Sequence, residues 1–153
     1  MDYSSFLEIA GVAHANVRGR KQLLKALAAA GAELANLNER ELHRLLSERA
    51  KFYALGLAGG VCISHVYVQG VERVRGICLR LTEMVDFGSN ASRKADTVFL
   101  LLSPFQATPD SLKALALVTR ALRDPVQAAS VRAADTAETL RRLLCGTMQA
   151  RAA

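Results

Sequence analysis

The sequence contains no tryptophan, and aromatic residues make up only 5% of its 153 positions. Proteins that bind single-stranded RNA or DNA stack the bases on exposed aromatic rings, so a chain this poor in aromatics is unlike that class. Proline is also scarce, at three residues, and neither a Pro/Gly-rich linker nor an internal repeat divides the chain. We therefore predict a single domain over residues 1–153 that does not bind nucleic acid.

Cysteine and histidine are equally rare, at three residues each. Cys62, Cys78 and Cys145 are an odd number without C-x-x-C spacing, which suits a reducing compartment better than a disulfide scaffold. Cys62 and His65 form a lone C-x-x-H, but no second pair of ligand-type residues has the spacing of a zinc site. The sequence thus predicts a cytoplasmic protein with no metal site and no cofactor.

Targeting signals and long apolar segments are missing as well. The first residues contain the acidic Asp2 and lack the basic segment that precedes the apolar part of a signal peptide, so no signal peptide is predicted. The longest strongly apolar run, Val98–Leu102, is far too short to cross a bilayer, and we expect no membrane insertion. The net charge of +6 permits an acidic partner, but the Lys and Arg residues are spread along the chain instead of forming one stripe.

The chain does have enough apolar residues for a core, since 51% are hydrophobic and 22% charged, which excludes intrinsic disorder. In the first third, leucine and alanine at helical spacing predict a helix from about Arg20 to Leu34. Asn38, followed three residues later by Glu41, predicts the N-cap of a second helix that ends at about Arg49.

The last third again has helical periodicity. Thr108-Pro109-Asp110 predicts a helix start, because threonine suits the N-cap, proline the first helical position and an acid the first turn. Asp124-Pro125 predicts the start of another short helix. Asp135–Glu138 predicts the start of a final helix, which we expect Gly146 to end.

The middle third has the shorter period of β-strands, after a glycine-bearing loop expected at residues 56–60. The predicted strands are Val61–Ile63, His65–Val68, Arg73–Leu81, a short hairpin arm at Val85–Gly88, and Thr97–Leu102, which Pro104 ends. The last of these is apolar on both faces, as in a central strand covered from both sides. Helices, then strands, then helices predict an α/β (α+β) fold with one mixed sheet between two helical layers.

Most catalytic motifs are missing from the chain, including G-x-S-x-G, the Walker loop, G-x-G-x-x-G after a strand and H-E-x-x-H. One segment stands out. In Gly59–His65, a histidine follows a glycine loop and a short apolar strand. A lone histidine at a strand end is ordinarily a hydrogen-bonded structural residue, so its position alone does not establish a site.

Four segments have a fixed order and spacing. Gly60–His65 is G-V-C-I-S-H, Phe99–Pro104 is F-L-L-L-S-P, Asp110–Leu115 is D-S-L-K-A-L, and Leu122–Asp124 is L-R-D. In these segments the chain resembles the IIA proteins of the fructose/mannitol class of the bacterial phosphotransferase system. The corresponding family patterns are G-[IV]-[AG]-I-P-H, F-L-L-L-x-P, D-H-L-x-x-L and L-x-[DN]. The resemblance covers about residues 19 to 145 and is closest to the nitrogen-regulatory branch.

The resemblance implies a phosphohistidine carrier with the mannitol-type IIA fold. His65 takes the place of the family's phosphorylated histidine, and Arg49 takes the place of the arginine that stabilises the phosphate. The phosphate would come from the histidine phosphocarrier protein of the phosphotransferase system. The phosphorylation state would then select a regulatory protein partner, whose identity the sequence does not give.

Two residues depart from the family pattern at the site that the resemblance implies. Ser111 stands in place of the second histidine, and Ser64 in place of the proline before the phosphorylated one. Both departures favour an alternative function, a IIA-like regulatory binding module that is not phosphorylated. Arg49 also has a structural alternative, as a cation that complements the dipole at a helix C-terminus.

Elementary chemistry agrees with the role that the resemblance implies. A neutral imidazole nitrogen can attack a phosphoryl group, because histidine ionises near neutral pH. The transfer needs donors for the equatorial oxygens, and Arg49 offers a planar fork of N–H groups. Backbone N–H groups in the helix turn at Asp110-Ser111 are further candidate donors. We expect His65 to accept phosphate more slowly, or to hold it less stably, than relatives with two histidines.

Overall fold

The computed structural model describes residues 5–49, 51–54, 60–86, 94–105 and 108–152. The strands in these ranges are β1 (Leu7–Ala15), β2 (Lys51–Ala54), β3 (Gly60–Val68), β4 (Val74–Asp86) and β5 (Lys94–Pro104). The helices are α1 (Arg20–Ala35), α2 (Glu39–Arg49), α3 (Pro109–Arg123), α4 (Pro125–Ala133) and α5 (Ala137–Ala152).

Within these ranges the strands form one five-stranded mixed sheet in the order β1-β4-β5-β3-β2. The central strand β5 is antiparallel to β4 and parallel to β3. On the outer sides, β1 runs parallel to β4, and the edge strand β2 runs antiparallel to β3. The predicted mixed sheet is confirmed. The strand that contains Val98–Leu102 is central, as predicted, and these five residues are all buried.

Helices cover both faces of the sheet, and the two sets of alternating strand side chains form two cores. On one face, Leu27 of α1 and Leu46 of α2 belong to the same core as Cys62 of β3. On the other, Leu117 of α3 belongs to the same core as Ile63 of β3. We call these the α1/α2 face and the α3/α5 face. The predicted architecture, a sheet between two helical layers, is confirmed.

The predicted helix starts are confirmed in all five cases, and α5 begins at Ala137, within the expected Asp135–Glu138. α1 and α2 have the expected bounds to within a residue, and the backbone N–H of Glu41 donates to Oδ1 of Asn38 at 2.9 Å, as a capping residue requires. α3 and α4 begin at Pro109 and Pro125, as predicted. The end predicted for the last helix is wrong, because α5 continues through Gly146. A glycine costs a helix only about 1 kcal/mol relative to alanine and does not by itself end one.

Two strand predictions are wrong in their boundaries. The strands expected at 61–63 and 65–68 are the single strand β3, in which Ser64 keeps the ladder by pairing with Phe52 and Leu100. β4 runs to Asp86, so residues 85 and 86 of the expected hairpin arm are the end of β4. The sequence patterns also missed β1 and β2.

Some of the expected features lie outside the described residues. These are residues 56–59 of the glycine loop, and residues 87 and 88 of the hairpin arm. Among the described helices, none is long and apolar enough to cross a membrane.

Candidate functional site

His65 lies in β3 and faces the helices of the α3/α5 face. Strand side chains alternate between faces. Val61 and Ile63 belong to the core on the α3/α5 face, and Cys62 belongs to the other core. Cys62 and His65 therefore point away from each other and cannot ligate one metal ion. In the part of the chain that the structure describes, no group of three or more His, Cys, Asp or Glu side chains is placed to hold a metal.

The imidazole of His65 is hydrogen-bonded to the hydroxyl of Ser103 in β5, with 2.6 Å between Nε2 and Oγ. The parallel register pairs His65 with Leu101 and Tyr67 with Ser103. Ser103 is therefore the diagonal neighbour of His65 on the same face of the sheet. Because Ser103 has no exposed surface, this bond holds one ring nitrogen of His65 against a buried partner.

Partial burial changes the acid–base behaviour of His65. The side chain is half-buried, and the loss of water around it lowers its pKa below the ordinary value of 6.5, since desolvation disfavours the charged form. The neutral imidazole has one nitrogen with a free lone pair, whereas the imidazolium has none. The environment therefore favours the form of His65 that can act as a nucleophile.

The ring of Tyr67 lies beside that of His65. The two ring centroids are 4.8 Å apart, and the planes are inclined by 47°. Tyr67 remains 38% exposed, so it forms part of the surface next to the histidine. Together with the bond to Ser103, this contact restricts the orientation of the imidazole.

Ser111 lies in the first turn of α3 and is only 1% exposed. Its backbone N–H donates to the carbonyl oxygen of Thr108 at 3.1 Å, and the two hydroxyl oxygens are 3.5 Å apart. Within the described ranges, Ser111 makes no hydrogen bond to His65. A serine at this position adds a hydroxyl group to the α3/α5 face but no positive charge.

Arg49 is the last residue of α2 and is exposed, with no hydrogen bond or ion pair to another described residue. The buried leucines of α2 pack on the α1/α2 face, opposite to the one that His65 occupies. However, β2 begins only two residues later, and Lys51 pairs with His65 in the sheet. The end of α2 therefore lies at the level of His65 along the sheet edge, although no hydrogen bond joins Arg49 to it.

The sequence patterns missed two side chains that contact His65, which are Ser103 and Tyr67. Ser103 occupies the variable position before Pro104 in an otherwise apolar strand, and a lone polar residue there is a usable signal. Tyr67 is two residues after His65 in the same strand and so had to share its face. The site thus consists of the imidazole of His65, whose lowered pKa favours the neutral form, the buried hydroxyl of Ser103 and the exposed ring of Tyr67. None of these contacts involves a carboxylate that could act as a general acid or base.

The chain is similar to known proteins over most of its length. Residues 8–145 match the family described as "Phosphoenolpyruvate-dependent sugar phosphotransferase system, EIIA 2". The nitrogen regulatory protein of Bradyrhizobium diazoefficiens is 40% identical over 124 residues, which cover 81% of either chain.

Solved structures share the fold. The nitrogen regulatory protein IIA-Ntr from Neisseria meningitidis superposes with a TM-score of 0.72 at 25% identity, over 92% of this chain and 97% of that one. Enzyme IIAMTL from Escherichia coli, in its complex with phosphorylated enzyme IIBMTL, superposes with a TM-score of 0.62 at 13% identity. That match covers 88% of this chain and 94% of the other. The chain therefore belongs to the EIIA 2 family of the phosphoenolpyruvate-dependent sugar phosphotransferase system, and its relatives there include nitrogen regulatory proteins.

Proposed function

We propose that this protein is a cytoplasmic phosphocarrier of the nitrogen-regulatory IIA kind, with residues 1–153 forming one phosphotransfer and regulatory domain. His65 accepts a phosphoryl group from the histidine phosphocarrier protein of the phosphotransferase system. The phosphorylated and unphosphorylated forms then differ in their affinity for a regulatory protein partner. The observation that carries the proposal is that His65, in a chain of this family, is half-buried and has a lowered pKa, so that its neutral form is favoured.

The transfer step needs no oxidant, reductant or metal. The lone pair of one neutral His65 nitrogen forms a bond to phosphorus, and the bond from phosphorus to the donor's histidine nitrogen breaks. The electron pair of that broken bond returns to the donor's imidazole. Such a transfer depends on positioning and on stabilising the charge of the phosphoryl oxygens.

The roles proposed for Arg49 and Ser111 differ in strength. Arg49 has a guanidinium group that is exposed and unpaired within the described residues, so it is available to turn towards a phosphoryl group at His65. Ser111 supplies at most a neutral hydroxyl donor. A neutral hydrogen bond is about half as strong as a charge-assisted one, so the phosphorylated state is expected to be less stable than with a histidine at this position.

A protein donor suits the exposed apolar side chains that lie close in sequence to His65, Ser103 and Ser111. Tyr67 is exposed beside His65, Phe105 follows the end of β5 and is 58% exposed, and Leu112 follows Ser111 and is 67% exposed. Exposed aromatic and aliphatic side chains of this kind are typical of protein–protein interfaces. Enzyme IIAMTL, which shares this fold, is found in a complex with phosphorylated enzyme IIBMTL, so binding of a phosphorylated protein has a precedent on the fold.

The test is incubation with phosphoenolpyruvate and the upstream phosphotransfer proteins, followed by intact-mass measurement under conditions that preserve phosphohistidine. We expect one phosphoryl adduct on the wild type and none on His65→Ala. His43→Ala is the matched control, because it removes a histidine of α2 and should leave the adduct in place. An adduct that persists on His65→Ala would rule out His65 as the acceptor.

The second candidate function is a regulatory binding module that is not phosphorylated. It is favoured by Ser111, which is buried, bonded to Thr108 and uncharged where the family has a second histidine. The same experiment separates the two functions. A wild-type protein that stays unmodified while a two-histidine relative is phosphorylated in the same mixture would establish the binding module.

A further inference from the structure

Three cations on the exposed surface at the start of α1 have no counterion in the described part of the chain. Arg18, Lys21 and Lys25 are exposed, and none of them forms an ion pair with another described residue. Lys21 and Lys25 are four residues apart in α1, so their side chains share one side of the helix. The backbone N–H of Arg18 donates to Oε1 of Gln22 at 2.8 Å, which holds Arg18 against the first turn of the same helix. We call Arg18, Lys21 and Lys25 the α1 basic face.

The charge of this face arises from a shortage of acids in one segment of the chain. No Asp or Glu occurs between Glu8 and Glu33, a segment that contains most of α1. The three cations belong to a total of 20 Lys and Arg, and the other 17 are set against 14 Asp and Glu. The α1 basic face therefore carries half of the net charge of +6, although Lys and Arg as a whole are spread along the chain.

These charges are unfavourable within the folded chain itself. α1 has no acidic residue in its first turn, where the positive end of the helix dipole favours an acid over Lys21. Lys21 and Lys25 also repel each other, because they are like charges four residues apart. In α2, by contrast, Arg44 is paired with Glu41 and Glu48. Packing does not require a cation at an exposed position, and a local arrangement that opposes stability is expected where it serves binding.

We propose that the α1 basic face is the docking surface for an acidic segment of a protein partner, whose carboxylates neutralise these cations. Side chains four residues apart on a helix are separated by about 6 Å. A partner segment with carboxylates one helical turn apart therefore matches the spacing of Lys21 and Lys25. α1 covers the α1/α2 face, whereas His65 lies on the other face of the sheet. A partner held on α1 leaves the ring of His65 uncovered, and docking does not require phosphorylation of the chain.

The size and chemistry of the face favour a protein segment over a nucleic acid or a membrane. The face spans about two helical turns, which is roughly 10 Å. Duplex DNA presents about one charge per 1.7 Å of its length, so three cations match only a small part of it. Stable binding to an anionic membrane needs an apolar anchor in addition to the cations. None of the large apolar side chains that are exposed in the described ranges belongs to α1.

The first test is a titration of the ¹⁵N-labelled, unphosphorylated protein with a short poly-glutamate peptide, followed by ¹H–¹⁵N NMR. The peptide supplies the carboxylates of the proposed partner, and the ionic strength is held at about 0.15 M to screen distant charges. We expect the largest changes in amide shift in residues 18–25 and small changes in β3. Absence of binding, or largest changes in another part of the protein, overturns the proposal.

Variants separate a docking face from a general effect of net charge. The double variant Lys21→Gln, Lys25→Gln should weaken binding of the peptide about fivefold, as for the loss of two exposed ion pairs. The double variant Arg120→Gln, Arg123→Gln is the matched control, because it removes the same charge from the exposed last turn of α3. It should weaken binding by less than about twofold, since those charges are distant and screened. Equal losses in the two double variants would refute the face.

The lysine variant is expected to fold, because it removes a pair of like charges. The double variant Lys21→Arg, Lys25→Arg keeps the charge and should keep the binding, and a loss there would contradict the proposal. The same titrations with short duplex DNA and with vesicles of phosphatidylcholine and phosphatidylserine test the kind of partner. We expect weaker binding to both than to the peptide. A tighter complex with DNA or vesicles that is lost in the lysine-to-glutamine variant, but kept in the arginine control, would overturn the assignment to a protein partner.

Discussion

Ser64 and His65 are neighbours in β3, but their side chains face opposite cores and have opposite hydrogen-bond status. The ring of His65 is bonded to Ser103, whereas the hydroxyl oxygen of Ser64 is buried without a partner among the described residues. A strand covered on both faces makes this possible, because its successive side chains point to opposite faces of the sheet. Adjacent positions of β3 therefore hold the candidate nucleophile, His65, and a buried serine whose hydroxyl group makes no hydrogen bond to a described residue.

The unpartnered hydroxyl of Ser64 predicts a stabilising substitution. Ser64→Ala removes a buried polar group that has lost its hydrogen bonds to water, and should raise the free energy of unfolding by about 1 kcal/mol. Ser103→Ala, which removes a hydroxyl that is bonded, should lower it. Urea denaturation of the two variants and the wild type checks both changes. A Ser64→Ala protein that unfolds at lower urea than the wild type would contradict this reading of the hydroxyl.

A second histidine should improve the proposed phosphocarrier. Ser111→His restores a ring that can carry positive charge in the first turn of α3, where the serine has only a neutral hydroxyl. A charge-assisted hydrogen bond in place of a neutral one is worth about 1 kcal/mol more, so we expect the adduct to form or persist about fivefold better. Intact-mass time courses measure both quantities. Unchanged kinetics would mean that residue 111 does not act on the phosphoryl group.

Removing the guanidinium group of Arg49 should weaken phosphorylation without unfolding the protein. Arg49 is exposed at the end of α2, so Arg49→Ala should slow the transfer about tenfold or more, as for a charge-assisted contact, with little change in stability. Arg40→Ala is a matched control, since Arg40 is an exposed arginine near the other end of the same helix. Equal transfer rates for the two variants would contradict a role of Arg49 in phosphoryl transfer and leave only the structural one, a cation that complements the dipole at the C-terminus of α2.

The acid–base behaviour of His65 predicts a pH dependence of stability. Burial lowers the pKa of His65 below 6.5 in the folded protein, so below that pH the unfolded chain binds more protons at this residue than the folded one. The contribution of His65 to stability is therefore constant above about pH 6.5 and falls as the pH drops towards its folded-state pKa.

NMR titration of the His65 ring and denaturant unfolding between neutral and acidic pH check this prediction together. The difference in stability between the wild type and His65→Gln should shrink, or change sign, on acidification. A titration midpoint at or above 6.5 for the folded protein would show that burial does not control the ring.

Gly60, at the start of β3, is predicted to tolerate no side chain. Its φ is +80°, and a Cβ there would lie 2.5–2.8 Å from guanidinium atoms of Arg132. Arg132 cannot easily move, because its Nε and Nη2 donate to the two carboxylate oxygens of Asp96, at 3.0 and 2.7 Å.

We expect Gly60→Ala to lower the free energy of unfolding by about 1–3 kcal/mol, as for strain in the left-handed region. Gly146→Ala is the control, since Gly146 is exposed within α5 and nothing crowds a Cβ there. That substitution should raise stability by about 0.5–1 kcal/mol through helix propensity. Thermal or urea unfolding of both variants decides the point. A neutral Gly60→Ala would mean that the backbone at Gly60 or the side chain of Arg132 can rearrange.

Much of the helical architecture follows from local patterns in the sequence. Asn38 with Glu41, and proline at positions 109 and 125, mark helix starts because capping and fixed backbone angles act within one turn of the chain. The apolar run Val98–Leu102 predicts a central strand, because only a strand covered on both sides has no polar face. The ordered motifs around His65 are likewise local, and they are sufficient to predict the family.

The elements that the sequence patterns missed depend on partners far away in the chain. β2 has four residues and exists as an edge strand because β3 lies beside it. β1 contains small residues, with Gly11 at its centre, and its strand form depends on parallel pairing with β4. Ser64 looked like a break between two strands, yet the ladders to β2 and β5 continue through it.

The site shows the same division. The candidate nucleophile, His65, is evident from a local motif, but its partner Ser103 is 38 residues away and is brought to it by the parallel register of β3 and β5. Arg49 and Ser111 follow from the resemblance to the family, yet which side of the sheet each element covers is decided only when the helices pack. Residue types and short spacings specify the chemistry available to the chain. Hydrogen bonds between strands and burial between layers are non-local, so only the tertiary structure decides which of these groups meet and which ring nitrogen of His65 a buried hydroxyl holds.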